Sequence, residues 1–161
     1  MKAMNGLVVA LGVVLASAGG AFAHEAHKHG GHDHPAVYGK PGDPAKPARE
    51  VEVVMSEGEG KMLFTPALVE VRKGEQIRFK VRNPGALAHE LVIGTQDELD
   101  AHADMMLAMP DMQHDEPNAI RLDSKAAGDL LWQFTDAGEF PFACLIPGHR
   151  EAGMVGKVVV R

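Results

Sequence analysis

The chain has 161 residues, enough for one domain with a packed core, and 22 acidic against 16 basic side chains give a net charge of −6 with histidine neutral. That balance argues against a nucleic-acid partner and weakly favours a cation or a basic protein. A single cysteine excludes an internal disulfide and leaves four roles for the thiol: dimer link, reactive group, buried apolar residue or metal ligand.

The first 23 residues read as an export signal. Lys2 supplies the positive start, "GLVVALGVVLASAGGA" is an uncharged apolar run, and Ala21-Phe22-Ala23 is an A-x-A cleavage site. The expected mature chain therefore begins at His24 and is periplasmic, with no membrane attachment after cleavage. Residues 24–50 carry His24, His27, His29, His32 and His34, followed by prolines and glycines, with few apolar residues. This composition reads as a flexible arm. Its histidines suit Cu(II), zinc or nickel; a solvated tail that holds no metal is the other reading.

From Val51 the texture becomes β-rich. "VEVVMS" and "KMLFTPALVEV" are followed by "QIRFKVR", which alternates strictly. Ile77, Phe79 and Val81 point one way and Arg78, Lys80 and Arg82 the other, as in a half-buried strand. Asn83-Pro84-Gly85 makes a turn, and "HELVIG" follows as a further strand opened by His89. "LLWQFT" sets Leu130, Trp132 and Phe134 on one face, and "GEFPFAC" and "MVGKVVV" complete seven or eight short strands. The expected fold is all-β, an antiparallel sandwich over residues 51–161.

Thr95 to Asn118 breaks the rhythm with seven acidic residues and no Lys or Arg. Its first half is expected to be a short helix ended by Pro110. Met105, Met109 and Met112 fall at helical spacing, the mark of a core-facing stripe. The competing reading joins them with His102, Met106 and His114 in a second soft-metal site, because thioethers select Cu(I) and acidic surroundings draw in a cation.

The loop between the last two strands holds Cys144, His149 and Met154 in a C-x4-H-x4-M pattern. A loop anchored by two strands can wrap three side chains around one point. Two histidines, a cysteine and a weak axial methionine describe a type 1 copper site. The second histidine must come from elsewhere, and His89, directly after a turn, is the best candidate.

These stretches, "NPGALAHELVIG" and "FPFACLIPGHREAGMVGKVVV", resemble the cupredoxins over residues 51–161. The resemblance implies a Greek-key β-sandwich of the cupredoxin type, with a short helical or irregular Met/His-rich insert. It also implies copper cycling between Cu(I) and Cu(II), with His89, Cys144 and His149 as equatorial ligands and Met154 axial. One departure stands out: Glu90 occupies the position after the first histidine, where many cupredoxins have an asparagine or similar residue. A carboxylate there alters the surroundings of the ligands, and with them the potential. The His-Glu pair and the histidine-rich arm resemble small periplasmic cupredoxins linked to bacterial copper tolerance.

Two functions follow from the resemblance. One is copper tolerance by buffering or redox handling, with the arm and insert as extra ligands. The other is soluble electron transfer, with a redox or copper-handling protein docking near His149 on a patch of Leu145, Ile146, Pro147 and Leu87. The extra His and Met clusters favour the first, since a dedicated carrier needs none of them. Catalysis is not expected. The H-x-H pairs His27/His29 and His32/His34 lie in the arm, whereas a trinuclear oxidase cluster needs rigid placement on several domains.

Overall fold

A computed structural model describes residues 36–109 and 115–161. Ten strands and one helix run in the order β1 (Lys40–Pro41), β2 (Arg49–Gly58), β3 (Lys61–Thr65), β4 (Leu68–Val71), β5 (Gln76–Arg82), β6 (His89–Ile93), α1 (Gln96–Ala108), β7 (Ala119–Leu122), β8 (Ala127–Gln133), β9 (Gly138–Ala143) and β10 (Val155–Val160). They form two five-stranded sheets, β1-β8-β5-β2-β3 and β4-β10-β9-β6-β7. The sandwich is not purely antiparallel: β2 runs parallel to β5, and β4 parallel to β10. Alternation tells a strand which face to bury, but not which way its neighbour runs.

The alternation of β5 does what its pattern dictates. Ile77, Phe79 and Val81 are buried, while Lys80 on the outer face pairs with Asp129 at 3.1 Å. Aromatic rings fill the space between the sheets, with Phe64 edge-on to Phe142 at 5.1 Å and Phe79 edge-on to Phe134 at 6.3 Å. Each such side chain contributes about 1.5–3 kcal/mol by leaving water. Strand β6 shows no alternation because both its faces are covered. Leu91 and Ile93 enter the main core. Val92 packs on the opposite side in a smaller cluster with Leu99, Met106, Ala143 and Leu145.

Helix α1 closes that smaller cluster. It begins in a capping box: the Thr95 hydroxyl accepts from the Glu98 amide, and the Glu98 carboxylate accepts from the Thr95 amide at 2.7 Å. It ends with Met109 as C-cap, one residue before Pro110. The expected methionine stripe is corrected. Met106 is the methionine that faces the core; Met105 is half-buried and Met109 is 44% exposed. Leu99 and Met106, seven positions apart, supply the buried contacts of a short helix laid across a strand.

The expected flexible arm over 24–50 is also corrected at its C-terminal end. Residues 36–50 belong to the sandwich. Tyr38 is 4% exposed, stacked on Trp132 at 5.5 Å and tilted against Phe140 at 5.9 Å. Lys40 and Pro41 pair with Gln133 and Trp132 at the edge of β8, and the Gly42 amide donates to the Leu131 carbonyl. The Gln76 side chain accepts from the Asp43 amide at 2.7 Å and donates to its carbonyl at 3.0 Å. Gly39, at φ +147°, sits where a Cβ would overlap the Gln133 carbonyl, so only glycine permits this approach. One aromatic anchor and an open strand edge order a segment whose average composition is that of a tail. Residues 24–35, with all five arm histidines, lie outside the described residues, as does the expected signal.

Candidate metal centre

The Asn83-Pro84-Gly85 turn is held by a buried amide. Asn83 Nδ2 donates to the carbonyls of Leu87, Leu122 and Asp123 at 2.7–3.1 Å, and its Oδ1 accepts from the Gly85 amide at 3.0 Å. These bonds tie the turn to the end of β7. His89 enters β6 next, paired with Leu122 and fully buried.

The loop from Cys144 to Met154 is closed by its own main chain. The Cys144 amide donates to the Met154 carbonyl, and the Met154 amide donates to the His149 carbonyl, both at 3.1 Å. Gly148 at φ +87° and Gly153 at φ +101° make the reversals between them. Contacts from β3 and α1 help to fix the loop. The Met62 amide of β3 donates to the Ala152 carbonyl, and Arg150 Nη1 meets Asp100 Oδ1 of α1 at 2.7 Å.

These two segments bring three donor atoms together. His89 Nδ1 lies 3.1 Å from His149 Nδ1, and Cys144 Sγ lies 3.3 Å from His149 Nδ1. All three side-chain donors fall within 4.8 Å of one another. Cys144 and His89 are fully buried, and His149 is 9% exposed. Met154 is buried in the same core cluster as Cys144. Among the described residues, His89, Cys144 and His149 are the one group of three or more His, Cys, Asp or Glu side chains close enough to share an ion.

The surroundings bias the charges. Burial pushes the Cys144 thiol up to about 12, against the pull of the Glu90 and Ile146 amides. Burial, then His89, lower the His149 imidazole below its ordinary value. Two imidazoles and a protonated thiol therefore meet at one buried point. A metal cation there would displace the thiol proton and bind a soft, mixed N,N,S donor set, which suits copper. The donor chemistry of these residues fits that ion.

Glu90, anticipated as a carboxylate beside the site, is buried. Its amide reaches Cys144 Sγ at 3.4 Å, its Oε1 accepts from the Leu145 amide at 2.9 Å, and Arg121 stands 4.0 Å from its other oxygen. It braces β6 against the loop. Sequence reasoning missed Glu57 at the end of β2. Its Oε2 lies 2.9 Å from His89 Nε2, and its Oε1 accepts from the Ala86 and Leu87 amides. The hydrogen bond with His89 and these amides hold the Glu57 carboxyl down at about 2. Nothing in "VEVVMSEG" marks it, because the contact is made across the sandwich. Among the described residues, none of the insert joins the His89, Cys144 and His149 group. Met106 is core packing, and His102 Nδ1 is 3.6 Å from Glu116. Met112 and His114 lie outside the described residues.

Comparison with known proteins agrees with this geometry. Residues 51–161 match the family model "Copper binding proteins, plastocyanin/azurin family". The chain is 53% identical to the copper-resistant cuproprotein CopI of Rubrivivax gelatinosus, over 96% of this chain and 93% of the relative. It is 33% identical to the CopI protein of Pseudomonas aeruginosa, over 96% and 94%. Among solved structures it is similar in fold to auracyanin B, with a TM-score of 0.62 at 23% identity, covering 77% of this chain and 96% of that one.

Proposed function

The chain belongs to the plastocyanin/azurin family of copper-binding proteins, and from that premise we propose that it is an exported periplasmic type 1 copper protein that contributes to copper tolerance. The observation that carries this reading is the convergence of His89, Cys144 and His149 on one buried point. Near full-length likeness to a protein named copper-resistant gives the physiological direction. His89, Cys144 and His149 would hold the copper, with the Met154 thioether as a weaker fourth donor. Bound copper supplies a one-electron Cu(I)/Cu(II) couple. The chain's own residues hold the donors in place before metal arrives, keep water from the thiolate and leave only the His149 edge near solvent. Little then needs to rearrange when the charge on the ion changes.

A second reading, soluble electron transfer, draws on that same edge. His149 is the one equatorial donor with exposed surface, and Leu87 beside the turn is 45% exposed. A redox partner docking there would meet Leu87, Pro147 and the part-exposed Ile146, while Leu145, expected in that patch, is buried against α1.

The copper-loaded protein is expected to show an intense visible thiolate-to-copper absorption and a single type 1 EPR signal. Cys144→Ser should abolish both while the protein stays folded. Survival of the absorption in that variant would overturn the ligand assignment. Growth of a deletion strain in excess copper separates the two readings. Reduced growth is expected, and unchanged growth favours the electron carrier.

A further inference from the structure

We propose that Glu57 is the positioning residue of the metal centre: reaching across from the other sheet, its carboxylate fixes the tautomer and orientation of His89, and so tunes copper affinity and potential. This rests on His89 being a copper ligand.

Glu57 lies on β2, paired with Met62 in the first sheet, whereas His89 opens β6 in the second. The carboxylate therefore crosses the sandwich. Both its oxygens are used, and all on one short stretch of chain. Oε1 accepts from the amides of Ala86 and Leu87, and Oε2 faces His89 Nε2 at 2.9 Å. Gly85 makes room, since a Cβ there would overlap the carboxylate. Glycine at 85 and glutamate at 57 are thus a matched pair.

The donor roles follow from this arrangement. A backbone N–H only donates, so Oε1 is an acceptor twice over. Glutamate is ionised at neutral pH, so Oε2 as well has only lone pairs to offer. An unprotonated Nε2 would set lone pair against lone pair at 2.9 Å inside the protein. The proton therefore sits on His89 Nε2, and Nδ1 turns its lone pair toward His149 and Cys144. An imidazole that gives its far N–H to an anion is a stronger base at its near nitrogen. A stronger base stabilises Cu(II) more than Cu(I), because the higher charge gains more from it. Asn83 independently anchors the turn through its contacts to Leu87, Leu122 and Asp123, so Glu57 is not the sole strut of this loop.

The substitution Glu57→Gln separates positioning from propping. Its amide oxygen can still accept from Ala86 and Leu87, but the charge facing His89 is gone. The full-length variant should melt within a few degrees of the parent when metal-free. Its Cu(II) affinity, measured by chelator competition, should fall about 10–100-fold, and its Cu(I) affinity less. Each tenfold excess of Cu(II) loss over Cu(I) loss raises the potential by ~59 mV. Unchanged Cu(II) affinity and potential in folded Glu57→Gln overturns the proposal. A second measurement needs no variant: imidazole nitrogen NMR of the metal-free parent should show His89 protonated at Nε2, and protonation at Nδ1 instead overturns the proposal. His89→Ala tells this failure from failure of the ligand reading. If His89→Ala leaves the copper absorption intact, the ligand assignment falls and takes the Glu57 role with it. If His89→Ala removes the absorption and Glu57→Gln changes nothing, the Glu57 role alone falls.

Discussion

Met154 does two jobs that a single substitution can separate. Its main chain closes the ligand loop at both ends, and its thioether is fully buried. Met154→Leu keeps the backbone bonds and nearly the same volume, so the metal-free protein should lose less than about 1.5 kcal/mol. The copper-loaded variant should nevertheless show a shifted absorption and altered EPR hyperfine splitting, because the thioether is gone. Identical spectra would mean that Met154 only fills the core. At this scale the convergence of His89, Cys144 and His149 was legible, because each lies within a few residues of a strand end or turn that fixes it. Asn83 was legible as a turn residue but not as a buried anchor with four hydrogen bonds. Glu57 was not legible at all, since it stands 32 positions from His89 and meets it only through the packing of two sheets.

Between single residues and the whole sandwich, the N-terminal strap and helix α1 are where composition misled and periodicity half-succeeded. The helix was readable as a short element ended by the proline behind it, but its capping box and its buried face were not. Burial there is set by β6 and β9 beneath, which select Leu99 and Met106 rather than the methionine stripe. The strap, residues 36–50, looked like a tail because three prolines and two glycines fall in its fifteen residues, yet Tyr38 and the open edge of β8 dock it. The docking of residues 36–50 on the sandwich predicts contrasting outcomes for a deletion and a substitution. Removing residues 24–35 should leave the melting temperature and the visible absorption unchanged, while lowering the number of coppers bound if the arm histidines take metal. Tyr38→Ala should cost about 3 kcal/mol, by emptying the space against Trp132 and Phe140. Tyr38 also reports docking directly. Burial, chiefly, lifts its phenol to about 12 from the ordinary value of 10.0. The folded form therefore keeps the proton longer, and the stabilisation present below pH 10 fades as pH rises toward 12. Ultraviolet titration of this single tyrosine should show the late ionisation, and an ordinary value would mean that the strap is undocked.

At the level of the whole molecule the centre is a seam between two sheets. The second sheet gives His89 and both ends of the ligand loop; the first gives Glu57 and, through Met62, the clamp on Ala152. Most strands, their faces and their order along the chain were legible from alternation and turns, but ten form where seven or eight were expected, with β1 and β7 unread, and the parallel pairing of β2 with β5 and of β4 with β10 was not legible; the β2–β5 pairing seats Glu57 beside the turn. Hydrogen bonds from both sheets brace the donor side chains, so the binding energy of copper should not be consumed in folding the site. It should appear instead as added stability of the native state, growing as RT ln(1 + [L]/Kd). At copper concentrations a thousandfold above Kd that is about 4 kcal/mol, which for a domain of this size raises the melting temperature by roughly 10 °C or more. Thermal unfolding of the full chain with and without copper measures the shift. Cys144→Ser, lacking the thiolate, should lose most of it while melting near the metal-free parent. A metal-free parent that is already unfolded, or one that copper does not stabilise, would mean that the sheets do not prebuild the centre and that the metal must assemble its own ligands.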